Sequence, residues 1–197
     1  MNYKLINQFN TCWIPDEKEN PSLAGKLSHP KKLPAIPVIY IGLQSRFEKI
    51  STPMQKDRLL IILSGPEPQR TLFEKIILRE LNLFTAEAVV LRGLPTSKEI
   101  IPSTDKIKFY NHLGSKLLNE EMAKAEFVIS RSGYSTVMDI MKLNKKSILI
   151  PTPGQTEQQY LAAHLLENQF SYCTSQKKFS LLQTLEVSKR FSYQTIS

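Results

Sequence analysis

The stretch "FVISRSGYSTVMDIMKLNKKSILIP", Phe127 to Pro151, reads as a strand, a tight turn, a helix and a second strand. The apolar run "FVIS" stops at "RSG", which uses one of only 7 glycines in 197 residues. Beyond Gly133 the apolar residues recur at helical spacing. Val137, Ile140 and Met141 form one stripe, and Ser132, Ser135, Thr136 and Asp139 form the opposite one. "SILIP" is apolar without alternation, as a parallel strand buried on both faces is. A strand, a crossover helix and a second such strand make a parallel pair, and this unit sets the fold class.

The same alternation extends in both directions. Strands are predicted at 58–64 ("RLLIILS"), 87–92 ("EAVVLR"), 107–111 ("IKFYN"), 127–130 and 147–151, with a weak sixth at "SYCT". Helices are predicted at 68–82, 115–125, 133–144, 156–168 and near 179–189. Such a pattern implies a Rossmann-like, three-layer α/β/α fold with a parallel sheet.

Residues 1–55 differ, with six prolines (Pro15, Pro21, Pro30, Pro34, Pro37 and Pro53) that exclude long helices. "CWI" and "IPVIYIG" could each make one strand, and "DEKENPSLAGKLSHPKKLP" between them reads as an exposed connection. This segment is too short to build a core of its own.

Composition bounds the function. With 41% apolar and 22% charged residues the chain is an ordinary globular one, and no apolar run reaches a membrane-spanning length. The N-terminus lacks a signal-peptide pattern, so a cytoplasmic setting is expected. Cys12 and Cys173 lie at opposite ends with no metal-ligand spacing, and two free thiols are expected. The net charge of +8 favours a phosphate-bearing ligand or an anionic surface. The lysines are dispersed, however, and no aromatics are interleaved with them, which argues against nucleic acid.

In parallel sheets ligands bind beyond the carboxyl ends of the strands, where helix N-termini present free N–H groups. The candidate loops are therefore "SGPEPQR", "YNHLG", "SRSGYST" and "PTPGQTEQQ". In the third, hydroxyls, N–H groups and the bare backbone of Gly133 would converge where a diphosphate could sit, and Asp139 could accept bonds from two vicinal hydroxyls. The local pattern alone favours Ser132 as a simple cap and Asp139 as a solvated residue. In the fourth, Thr156 to Gln159 fits a capping box, and Glu157 and Gln158 are placed to meet a polyhydroxylated ligand. In the first, Ser64 and Gly65 stand at a strand-to-helix turn that is neither a P-loop nor a GxGxxG fingerprint. No Ser, His and acid triad and no GxSxG are recognisable. His29 and His164 read as surface or satisfied residues, and His112 stands at the binding edge.

Taken in order, the Arg-Ser-Gly turn, Thr136, the helix acid, the proline-rich turn and the Gln158–Gln159 pair resemble the C-terminal domain of family 28 glycosyltransferases, which have two facing Rossmann-like domains. The likeness spans roughly 57–175 and is nearest to members that transfer N-acetylglucosamine in building the lipid-linked precursor of peptidoglycan. It implies a UDP-sugar donor, with Asp139 at the ribose, Ser132, Gly133 and Thr136 at the diphosphate, and Gln158 and Gln159 at the sugar hydroxyls. Ser64, Gly65, His112, Leu113 and Arg131 complete the expected donor site. No cofactor, metal or catalytic residue is expected in this half. The acid is usually Glu in that family, the Asn after the Gln pair is Ala162 here, and the first loop is poorer in glycine. By this likeness residues 1–55 are the tail of an N-terminal acceptor domain plus a linker, and 56–197 are the nucleotide-sugar domain. The acceptor domain would be missing or on a partner chain, so the chain alone should be inactive, and attachment to the inner membrane surface is an open expectation. Two alternatives remain: a UDP-sugar epimerase or hydrolase domain, and a non-catalytic binding module.

Overall fold

The computed structural model describes residues 3–19 and 21–195. The proline-rich segment supplies a single helical turn, α1 (Tyr3–Ile6), and two short strands, β1 (Cys12–Ile14) and β2 (Val38–Tyr40). There follow β3 (Leu59–Ile62), α2 (Gln69–Leu81), β4 (Ala88–Leu91), β5 (Ile107–Tyr110), α3 (Ser115–Lys124) and β6 (Phe127–Ser130). The chain continues through α4 (Tyr134–Lys142), β7 (Lys146–Leu149), α5 (Thr156–Glu167), β8 (Tyr172–Cys173) and α6 (Leu181–Arg190). Each strand and long helix expected from the sequence is present, with its ends within a few residues.

Strands β3 to β8 form one all-parallel sheet in the order β5-β4-β3-β6-β7-β8. The chain starts in the middle, works outward to one edge and then crosses to the other side. Its direction reverses between β3 and β6, so the connections that leave their carboxyl ends turn to opposite faces of the sheet, toward α2 and α4, and leave a crevice between them. Side chains alternate along the strands. Leu60, Val89 and Val128 face α3, α4 and α5, whereas Leu59, Ile61, Val90 and Ile129 face α2 and α6. Two apolar layers of this kind explain why the runs in β3, β4 and β6 carry no polar alternation. At the β5 edge, N–H groups that would otherwise be open are bonded to hydroxyls, Ile107 N–H to Thr104 and Phe109 N–H to Ser103, both at 3.0 Å.

Where β4 ends, a buried cluster ties down the long connection to β5. Glu74 on α2 accepts from Arg92 Nε at 2.6 Å and Arg70 Nη1 at 3.2 Å, while Arg92 Nη1 donates to the Glu99 carbonyl and to Asn111 Oδ1 at 3.0 Å. The carboxylate of Glu74 raises the Arg92 guanidinium above its ordinary value. Gly93, next along, has φ of +69°, and a Cβ there would stand 2.3 Å from the Leu63 carbonyl oxygen of the neighbouring strand end.

The connection between β1 and β2 is not the exposed linker that its composition suggests. Asp16 is fully buried, and its carboxylate accepts from Leu23 N–H (2.8 Å), Ala24 N–H (2.9 Å) and the Ser28 hydroxyl (2.5 Å). That one acceptor gathers residues 16–17 and 22–28 into a compact fold whose Leu23, also fully buried, joins the core over α5. The loop docks through the Ser22 carbonyl on His164 Nε2 (2.9 Å), so His164 has the satisfied role expected of it. Lys26 N–H donates to Tyr160 Oη (2.8 Å). Tyr134 Oη, at the start of α4, donates to the Pro15 carbonyl (2.6 Å). Strands β1 and β2 pair in parallel with Trp13 opposite Ile39, and these two are 68% and 49% exposed. Among the described residues no helix is long and apolar enough to cross a membrane.

Candidate functional site

The crevice between β3 and β6 brings together the "SGPEP" and "SRSG" loops, with the β7 loop beside them. Gly65 stands exposed at φ +104°, a conformation a side chain would strain, and a Cβ there would lie 3.5 Å from Thr152 Oγ1. Thr152 is 1% exposed, and its hydroxyl has no partner among the described residues. Sequence reasoning missed it, although its place between two prolines in the β7 loop was the available signal.

At the start of α4, Gly133 has extended backbone (φ −76°, ψ 134°), and nothing lies within 4 Å of where its Cβ would be. The N–H groups of the first helical turn, Tyr134 to Thr136, have no carbonyl of their own helix to bond. They therefore offer an open, positively polarised end beside the crevice. Thr136 is half-buried on the same turn, Gln159 is exposed at the start of α5, and Ser64 is half-buried beside Gly65.

Three side chains expected in the donor site have partners within the protein. Ser132 is fully buried, and its hydroxyl donates to the Gln158 carbonyl at 2.9 Å, fastening the α4 turn to the first turn of α5. Gln158 turns its amide inward. Its Oε1 accepts from Thr152 N–H (2.9 Å) and its Nε2 donates to Gln155 Oε1 (2.5 Å), bracing the β7 loop. Arg131 is 1% exposed, donates to the Gln69 carbonyl (2.9 Å) and Gln176 Oε1 (2.7 Å), and stacks 4.5 Å over Phe73. Burial pushes its guanidinium down to about 10, which leaves it cationic at neutral pH. It is a brace between β6, α2 and the segment before α6. The capping box is corrected as well: α5 begins from Gln155, whose carbonyl accepts from Gln159 N–H at 3.0 Å, and no side chain caps it. Gly154, at φ +84°, delivers Gln155 to the cap position ahead of Thr156.

Asp139 does not face solvent. It is 7% exposed, because residues 43–47 lie across α4 with Phe47 in the core. Ser45 Oγ donates to Asp139 Oδ1 at 2.6 Å, and Arg46 Nε stands 3.7 Å from Oδ2, its side chain 60% exposed and 4.8 Å over the Phe47 ring. The sequence reading missed Ser45 and Arg46. The period-two alternation of Leu43, Ser45 and Phe47 was the signal for a segment with one face inward.

His112 is exposed on the loop after β5, three strand spacings or roughly 14 Å from β6. Its neighbour Leu113 packs into the core shared with α4. Cys12 and Cys173 are free, and burial pushes the Cys173 thiol up to about 12, far from a nucleophile's range.

The part of the chain from the β5 connection to α6 matches the model of the glycosyltransferase family 28 C-terminal domain over residues 100–189. Over that stretch the chain is similar to family 28 C-terminal domains. A curated relative, the UDP-N-acetylglucosamine--N-acetylmuramyl-(pentapeptide) pyrophosphoryl-undecaprenol N-acetylglucosamine transferase of Buchnera aphidicola subsp. Schizaphis graminum, is 31% identical over 120 residues, which cover 58% of this chain and 34% of the relative. The chain thus spans about a third of the length of the curated relatives it matches. Among solved structures, Acinetobacter baumannii MurG superposes with a TM-score of 0.52 at 13% identity, covering 83% of this chain and 49% of that one. The rhamnosyltransferase SpnG complexed with thymidine diphosphate gives 0.51 at 16%, covering 83% and 47%. These likenesses agree with the Rossmann-like architecture seen here.

Proposed function

We propose that this chain is the nucleotide-sugar-binding half of a hexosyltransferase that uses a UDP-sugar donor. The observation that carries the reading is the open start of α4 at the topological switch point, where Gly133, with nothing within 4 Å of where a Cβ would be, leads into the unbonded first-turn N–H groups. A diphosphate would be held there by backbone N–H groups and by the helix dipole, which stabilise the leaving group's charge without reorganising. Asp139, on the same helix, would take the ribose hydroxyls through Oδ2, and Gln159 would meet the donor sugar. Support for the base and sugar comes from the curated relative, which is named for UDP-N-acetylglucosamine. The acceptor in that relative's name is a pyrophosphoryl-undecaprenol, which supports peripheral membrane attachment on the cytoplasmic side for a complete enzyme. In this reading a second α/β domain, covalently joined or on a partner chain, brings the acceptor and the catalytic base.

Titration of the chain with UDP, UDP-N-acetylglucosamine and GDP tests this. UDP and its sugar are expected to raise the melting temperature, with GDP having less effect. A folded sample that none of them stabilises would overturn the reading. Gly133→Ala sharpens the test, because a methyl there meets no protein atom. It should change stability by less than about 1 kcal/mol yet weaken UDP by about tenfold, by standing over the N–H groups that hold the diphosphate.

A further inference from the structure

We propose that Ser45 is a positioning residue for the nucleotide: its hydroxyl fixes the Asp139 carboxylate so that one oxygen is left for the ribose. The inference rests on the reading of Asp139 given above and extends it to the segment that precedes β3. Ser45 Oγ accepts from Phe47 N–H at 3.0 Å and donates to Asp139 Oδ1 at 2.6 Å. Because the N–H occupies a lone pair, the hydroxyl proton has one productive direction, toward the carboxylate. Phe47, 2% exposed, anchors the backbone that supplies this N–H in the core beneath α4. Ser45 is thus held from below by packing and in turn holds the acid.

The geometry compensates for a short side chain. Asp139 is one methylene shorter than Glu, so its carboxylate stays close to the helix, where an unheld group would rotate about χ2 between equivalent orientations. With Oδ1 committed to Ser45, Oδ2 is the oxygen beside the exposed Arg46 guanidinium, 3.7 Å away. An ionised carboxylate has about four acceptor positions, so one bond from Ser45 leaves capacity for two ligand hydroxyls. Ribose binding would then depend on residues 43–47 remaining seated on α4, which couples this segment to the nucleotide pocket.

The test is calorimetric titration of the full chain, Ser45→Ala and Ser45→Thr with UDP and with 2′,3′-dideoxy-UDP, which lacks both ribose hydroxyls. The wild-type chain is expected to prefer UDP. Ser45→Ala should cut that preference by about tenfold while its affinity for the dideoxy compound stays unchanged, which also reports a folded site. Ser45→Thr, which restores the hydroxyl, should recover the preference. A preference that survives in Ser45→Ala, or an equal loss of both affinities, overturns the positioning role and leaves the donor reading standing. If the wild-type chain does not distinguish the two compounds, the ribose role of Asp139 falls and the role of Ser45 with it.

Discussion

Replacing Asp139 by Ala is expected to weaken UDP binding by about 100-fold, the largest functional effect of any single change considered for this chain. Two hydroxyls bonded to one carboxylate each contribute about 1.5 kcal/mol at the low end for a charged acceptor, about 3 kcal/mol together, and the methyl of Ala returns none of it. The same change also removes the acceptor of the Ser45 hydroxyl, so some stability goes with it. That hydroxyl is half-buried and can turn to other acceptors, and Arg46 is mostly exposed, so the cost should stay near 1–2 kcal/mol. For a chain of this size that is a fall of about 3–6 °C in melting temperature. Calorimetry and thermal melts on the same preparation separate the two quantities. A fall in melting temperature with UDP affinity unchanged would return Asp139 to the structural role of seating residues 43–47.

The largest stability effect is expected at Gly93. An alanine there suffers twice, because φ of +69° is a conformation that L side chains avoid and because its Cβ would meet the Leu63 carbonyl oxygen at 2.3 Å. The neighbour is backbone at the end of β3, so relief requires the two central strand ends to separate. Left-handed strain costs roughly 1–2 kcal/mol and a forced backbone shift about 1–3 kcal/mol more. Together they predict a fall of about 6–15 °C in melting temperature. The separation would open at the edge of the crevice, beside Gly65, so UDP affinity should fall as well. A melting temperature within about 2 °C of the wild type would show that the β4 loop yields easily.

How much of this was legible in the sequence depends on the range of the interaction involved. The β6-α4-β7 unit was readable because its signals are local: an apolar run, a turn at Gly133, a stripe of Val137, Ile140 and Met141. Strand order was not, since nothing in the run "LLII" states that β3 lies between β4 and β6. The candidate site divides in the same way. Gly65 and Gly133 stood out because a rare glycine at a strand-to-helix turn has a local meaning. Ser132, Arg131 and Gln158 also stood out, but their hydroxyl, guanidinium and amide are taken up by partners 26, 45 and 6 residues away. A wheel could place Asp139 opposite the apolar stripe. It could not show that residues 43–47, 94 positions earlier at Ser45, would cover that face. The connection after β1 was misread as exposed for a related reason: Asp16, one acid in a polar stretch, organises the loop through bonds to backbone N–H groups, which no side-chain pattern records.

The exposed pair on β1 and β2 gives the protein a built-in optical reporter. Trp13 is the sole tryptophan, and it stands 68% exposed on the two-stranded sheet. Its emission in the free chain belongs at the red end of the indole range. A blue shift would register whatever comes to cover that sheet, and an acrylamide quenching titration would measure how completely. The indole lies outside the buried layers around β3 and β6, so melting of the main sheet is better followed by circular dichroism. The two signals can then be read separately, one for assembly and one for folding.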